Sequence, residues 1–172
     1  MTMQQPSNEE AQRYRMITFD RGNIRFSYRI AGIAIRDGKV LVQQPERGDF
    51  YFLPGGRAEL QESAKETLRR EMQEELQVEV NVGRLLWIVE NFFEFGGRDF
   101  HELGMYFFMT FPDDAPVSDT TKTFALQEGT HTFVLLWHSL DDLGTVPIYP
   151  SFLQTTLLSL PESTEHIVHF DE

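Results

Sequence analysis

Residues 54–78, Pro-Gly-Gly-Arg-Ala-Glu-Leu-Gln-Glu-Ser-Ala-Lys-Glu-Thr-Leu-Arg-Arg-Glu-Met-Gln-Glu-Glu-Leu-Gln-Val, run from a diglycine turn into a carboxylate-rich helix. Ser63 followed three residues later by Glu66 predicts a capping box, in which hydroxyl and carboxylate each satisfy a backbone N–H that the first turn leaves unpaired. From there to Leu76 nothing breaks a helix, and Ala, Leu, Met, Glu, Lys and Arg all favour one. At about 100° per residue, Leu68, Met72 and Leu76 fall on one stripe and predict a core-facing side. Glu71, Glu74 and Glu75 gather on another, because residues three and four apart are neighbours on a helix surface. Three carboxylates that close repel one another unless a cation or water sits among them.

Two readings compete for that cluster. In one it is a solvated face laced with pairs such as Glu66–Arg70 and Arg70–Glu74, each worth about 0.3–0.5 kcal/mol. In the other it holds hard cations, and the upstream residues favour this one. The adjacent glycines of Pro54-Gly55-Gly56 let the backbone turn sharply and approach a ligand closely, leaving carbonyl oxygens as further hard ligands. Magnesium is held by one or two carboxylates together with water and substrate phosphates. The combination points to Mg²⁺ (or Mn²⁺) and to phosphoanhydride chemistry.

At these residues the chain resembles the Nudix hydrolase family, whose signature is Gly, five residues, Glu, seven residues, Arg-Glu, an aliphatic residue, any residue, Glu-Glu, any residue, Gly and an aliphatic residue. The match runs through Gly56, Glu62, Arg70, Glu71, Met72, Glu74, Glu75 and Val78, and it departs at Gln77, where the family has Gly. That position lies just past the helix, where a left-handed backbone is commonly needed, so Gln77 carries a strain of about 1 kcal/mol without removing a ligand. The resemblance implies that Glu71, Glu74 and Glu75 are metal ligands, that Gly56 adds its carbonyl beside Gly55, and that Glu62 sits near the metal shell. It implies a structural role for Arg70, pairing with a carboxylate and tying the loop to the helix; a plain surface pair of Arg70 with Glu62 is the alternative.

The 172 residues suit one domain with a substantial core, and composition includes fifteen Phe and no Cys. Disulfides and thiolate metal sites are therefore excluded. The polar start, with no basic-then-apolar pattern, and the lack of an apolar run long enough to span a bilayer fit a cytoplasmic protein without a membrane partner. A formal net charge of −12 argues against capture of generic nucleic acid. It would also repel a phosphorylated small molecule, unless divalent cations invert the local field.

Along the chain, residues 1–15 read as a flexible tail and 16–172 as a single domain. A strand is expected over 24–35, a tight hairpin at Asp37-Gly38, strands at 39–42 and 51–53, and a polar loop over 43–50. Strands are expected within 78–95 and over 100–111, turning at Gly96-Gly97, then over 132–137 and 166–170. Residues 112–130 read as a long loop, and Ser151 with Gln154 as the cap of a second helix ending before Pro161. Strands interleaved with two helices predict an α/β fold, and the resemblance implies the Nudix-type α/β/α sandwich with a mixed central β-sheet.

Around the motif, a carboxylate general base is the natural choice for activating water; the resemblance implies a helix glutamate, Glu74 or Glu75, or a late-loop carboxylate before a Trp strand, the place Glu128 holds ahead of Trp137, with Asp113-Asp114 the weaker option. Arg29, Glu90, Arg98 and Glu102 are candidates for binding a small nucleotide-type substrate, the last three in an aromatic-rich hairpin suited to a pocket wall. On strand periodicity Glu102, Gly104 and Tyr106 share one face, opposite His101, Leu103 and Met105. The leading expectation is metal-dependent hydrolysis of a pyrophosphate bond in a nucleoside diphosphate linked to another moiety. A non-catalytic nucleotide-sensing module is the alternative, cleavage of RNA 5′ ends a third, and a homodimer is left open.

Overall fold

A computed structural model describes residues 15–128 and 131–171, apart from the side chain of Glu128. The expected tail, except Arg15, lies outside the described residues. The strands are β1 (Thr18–Arg21), β2 (Ile24–Ile33), β3 (Ile35–Arg36), β4 (Lys39–Pro45), β5 (Tyr51–Phe52), β6 (Gly55–Arg57), β7 (Asn81–Phe95), β8 (Arg98–Thr110), β9 (Thr123–Glu128), β10 (His131–Ser139), β11 (Ile148–Tyr149) and β12 (Glu165–Phe170). The helices are α1 (Ala64–Leu76) and α2 (Leu153–Thr156).

Two mixed sheets result. One runs β1-β2-β8-β7-β12 with β6 on the edge of β2, and the other runs β11-β5-β4-β10-β9 with β3 beside β4. In the first, β2 runs parallel to β8 and β12 parallel to β7, while the long hairpin β7–β8 is antiparallel. The helix α1 packs on β2, β6 and β7, and its Leu68 and Met72 are fully buried with Ile30, Phe107 and Met109 of the first sheet and Leu41, Leu135 and Trp137 of the second. A second core lies between the sheets and under α2, built from Val40, Val42, Leu53, Trp87, Val89, Tyr106 and Leu153. Of the stripe that the helix spacing predicts, Leu68 and Met72 are fully buried and Leu76 packs partly buried against the same core. Asp37-Gly38 forms the expected turn, with φ of 52° and 71°.

Three expectations are corrected. The segment read as an unstructured loop over 112–130 holds a 3-10 turn at Pro116–Ser118 and strand β9, which pairs with β10 from Thr123 opposite Leu136 to Glu128 opposite His131. Its apolar residues Phe124 and Leu126 are too few to announce a strand; the partner strand and the core beneath supply the stability. The second helix is one turn, not ten residues. Ser151 is not its cap, since Ser151 Oγ meets His169 Nε2 at 3.1 Å and Gln154 Nε2 donates to the Val146 carbonyl at 2.9 Å. The polar loop begins later than expected, because β4 continues to Pro45 opposite Phe133.

Helix α1 begins as its sequence dictates. Ser63 Oγ accepts from the Glu66 N–H and Glu66 Oε2 from the Ser63 N–H. At its other end Gln77 is left-handed (φ 56°, ψ 34°), and its N–H donates to the Gln73 carbonyl at 3.0 Å. Replacing Gln77 by Gly removes the Cβ strain but adds freedom to the unfolded chain. The net expectation is a gain of about 0.5–1 kcal/mol, or roughly 2–4 °C in Tm, read by thermal denaturation.

Candidate active site

The motif begins on an edge where no side chain fits. Gly55 pairs with Ala31 and Gly56 with Ile30 on β2. Gly55 has φ 141°, and a Cβ there would enter the Ile30 carbonyl. At Gly56 a Cβ would occupy the space filled by the Glu71 carboxyl group. The bare Cα of Gly56 therefore lets a carboxylate from the helix come directly against the main chain of the turn.

Arg70 organises the surrounding charges. Its Nε and Nη2 donate to the two oxygens of Glu62 at 2.9 and 3.1 Å, a two-pronged pairing. Nη1 donates to Glu71 Oε1 at 2.8 Å and Glu74 Oε2 at 3.3 Å, and Nη2 reaches the Arg57 carbonyl at 3.1 Å. Glu62 also accepts from Thr67 Oγ1 and the Glu59 N–H. Burial works against charge on Glu62, but the hydrogen bonds from Arg70, Thr67 and Glu59 and the Arg70 charge outweigh it and hold its pKa below the ordinary glutamate value. Arg70 is likewise opposed by burial, yet Glu62 and Glu71 raise its pKa further. Glu71 goes the other way: burial dominates and lifts its pKa despite Arg70.

Glu75 is held from the second sheet, where Gln43 Nε2 donates to its Oε2 at 3.0 Å. Gln43 is buried on β4 and escaped the sequence reading. Its signal was a polar side chain on the same strand face as Leu41, where an apolar one belongs. Among the described residues no three Asp, Glu or His side chains are gathered closely enough to cage a metal as they stand; Arg70 holds Glu71 and Glu74, and Gln43 holds Glu75. The donor set nonetheless fits a hard divalent cation: oxygen ligands only, one pressed against the glycine turn and another half exposed at Glu74.

Of the substrate candidates, Arg29 and Glu102 come to the motif and two do not. Arg29 Nη2 donates to the Leu53 carbonyl at 3.1 Å, its guanidinium lies 5.7 Å from the Phe52 ring centre, and its charge acts on both Glu71 and Glu102. Glu102 is partly buried and accepts from Ser27 Oγ at 3.1 Å; burial raises its pKa against the pull of Arg29, Ser27 and Arg57. Its predicted face is observed, shared with buried Gly104 and Tyr106. Arg98 instead pairs with Asp20 at 3.0 Å beside Arg25, and Glu90 meets His166 at 2.9 Å on the β7–β12 pair. The backbone of Glu128 ends β9, and its side chain lies outside the described residues. Asn91, across from Glu102, is 3% exposed and its Oδ1 lacks a partner, a deficit of roughly 1–3 kcal/mol in the free protein.

Comparison with known proteins fixes the family. The NUDIX domain model matches residues 27–155, three quarters of the chain, and the chain belongs to that family. It is 37% identical over 76 residues to the CTP pyrophosphohydrolase of Escherichia coli (strain K12), covering 42% of this chain and 55% of that protein; the match thus spans about half the length of this curated relative. Among solved structures it is similar to a MutT NUDIX hydrolase from Burkholderia pseudomallei (TM-score 0.57, 20% identity, 75% of this chain and 95% of the other). It is also similar to an ADP-ribose pyrophosphatase from Streptococcus suis 89-1591 (TM-score 0.50, 20% identity, 84% and 98%). At such identities these two likenesses establish the α/β Nudix fold alone.

The Glu62–Arg70 pair carries a pH signature. Because the folded pKa of Glu62 is lowered, its contribution is complete above the unfolded value and fades as pH falls through the folded one. Glu62→Gln is expected to cost about 2 kcal/mol at pH 7, and progressively less as pH falls below the ordinary glutamate range. Urea denaturation of both proteins across that range measures it.

Proposed function

We propose that this protein is a metal-dependent hydrolase that cleaves a pyrophosphate bond in a nucleoside diphosphate linked to another moiety. The observation that carries the reading is the Glu71 carboxyl seated in the gap left by the Gly56 side chain, inside a complete set of motif carboxylates. The likeness to a CTP pyrophosphohydrolase favours a nucleotide substrate. Mg²⁺ or Mn²⁺, held by Glu71, Glu74, Glu75 and the Gly56 carbonyl, would supply charge neutralisation and a lowered water pKa.

The chain's own groups divide the remaining work. Arg70 keeps Glu71 and Glu74 aimed, and Gln43 keeps Glu75 in place from the facing strand. Arg29, between the motif and Glu102, meets the phosphate chain of the substrate. A carboxylate at Glu74 or Glu75, or Glu128 beyond them, takes the proton of the attacking water. Glu90 and Arg98, each engaged with another residue, contribute at the rim at most. No helix of the described residues is long and apolar enough to cross a membrane; cytoplasmic location and a homodimer belong to the same proposal.

Glu75→Gln is expected to lower kcat on the order of 10³-fold, several kcal/mol of transition-state stabilisation. The assay is a nucleotide panel with Mg²⁺ or Mn²⁺ and products identified by mass. Near-wild-type turnover in that variant would overturn the assignment, and nucleotide binding with no hydrolysis by the wild type would favour the sensing module. Gly56→Ala tests the turn itself. Magnesium is expected to raise the Tm of the wild type by binding the folded state, and this rise is expected to vanish once a Cβ displaces Glu71.

A further inference from the structure

The face of the first sheet that looks toward the second carries a row of polar residues in register: Ser27 on β2, Glu102 on β8, Asn91 on β7 and His169 on β12. Ser27 Oγ donates to Glu102 Oε2 at 3.1 Å, which leaves the carboxylate, with about four lone-pair sites, acceptor capacity to spare. Beside it Asn91 Oδ1 is buried and lacks a donor. The centre of the row therefore offers more acceptor capacity than Ser27 answers. An orphan acceptor next to a carboxylate with lone pairs to spare is what a site looks like when its donor arrives with a ligand.

The surroundings narrow that ligand to something flat. One register step outward on the same face, Phe93 and Phe100 stack at 4.7 Å with planes 9° apart. From the second sheet's side Phe50 approaches Phe95 at 6.4 Å, Phe52 at 6.3 Å and Tyr149 at 6.0 Å. Aromatic walls with a few convergent polar groups are the usual lining of a pocket for a planar ring. Arg29, on β2 two residues along from Ser27, pairs in register with Arg57 of the motif strand and its charge acts on both Glu102 and Glu71, so one extended substrate can touch both.

We propose that Glu102 selects the base of the substrate, its Oε1 accepting a hydrogen bond from an exocyclic amino group on a nucleobase held against these rings. An oxo group in the same place sets lone pairs against a carboxylate and is rejected, since a site built to receive a donor is left unpaired by an analogue that lacks it. The proposal rests on the nucleotide reading above but not on turnover. A ribose hydroxyl offers the same donor chemistry, and the aromatic walls favour the base.

The test is calorimetric binding of CMP against UMP, AMP against IMP, and CMP against 2′-deoxy-CMP, none of which contains a pyrophosphate bond. The wild type is expected to bind the amino member of each base pair at least about tenfold more tightly, with little effect of the 2′-hydroxyl. In Glu102→Gln that preference is expected to shrink to within about threefold, whereas Ser27→Ala, which keeps the carboxylate, retains it. Equal affinity for amino and oxo bases overturns the proposal. So does an intact preference in Glu102→Gln, a preference that follows the 2′-hydroxyl, or no binding of any of the four bases. If Glu102→Gln does not fold, the wild-type ratios decide alone. Loss of hydrolysis with the amino preference intact would sink the enzymatic reading and leave this one standing.

Discussion

One guanidinium holds the motif together. Arg70 lies among Glu62, Glu71 and Glu74 and reaches the Arg57 carbonyl, so it joins the helix, the loop before it and the strand carrying the glycines. Without that cation the carboxylates of Glu62, Glu71 and Glu74, brought together by the loop and the helix, would drive each other outward into water. With it, burial's upward push on the Glu71 pKa is opposed, and the carboxyl is turned toward Gly56. A planar fork with several fixed donors does this where a lysine ammonium could not, which gives the Arg of the motif a physical reason distinct from catalysis.

The proposed activity sets an acidic protein against an anionic substrate. A net charge of −12 is hostile to phosphate at long range, so under that proposal productive contact would depend on cations brought to the helix carboxylates and on Arg29 beside them. The second sheet is drawn into the site through Gln43, which ties Glu75 to β4. Geometry at the carboxylates thereby depends on how the two sheets pack, and not on the helix alone.

Local rules were legible in the chain wherever neighbours in sequence are neighbours in space. The capping box of α1, its Leu68–Met72 stripe, the Asp37-Gly38 turn and the left-handed exit at Gln77 all follow from i, i+3 and i, i+4 geometry or from backbone sterics. Strand β9 and the one-turn α2 did not, because each is decided by a distant partner: β10 for the first, His169 and Asp171 with Val146 for the second. Arg98 and Glu90 looked available in the hairpin for the same reason. Nothing nearby in sequence announces Asp20 or His166 as their companions.

The sequence by itself determined which residues offer carboxylate oxygens, at what helical spacing, and after which turn, since these are properties of a single continuous segment. Tertiary structure alone decided that Arg29 stands beside that segment, that Glu102 lies in register with Ser27 two residues along β2 from it, that Glu90 and Arg98 pair elsewhere, and that Gln43 reaches Glu75. The reason is the parallel pairing of β2 with β8, two strands separated by some seventy residues. Their register is set by which side chains the two cores bury, a global sum that no local pattern contains.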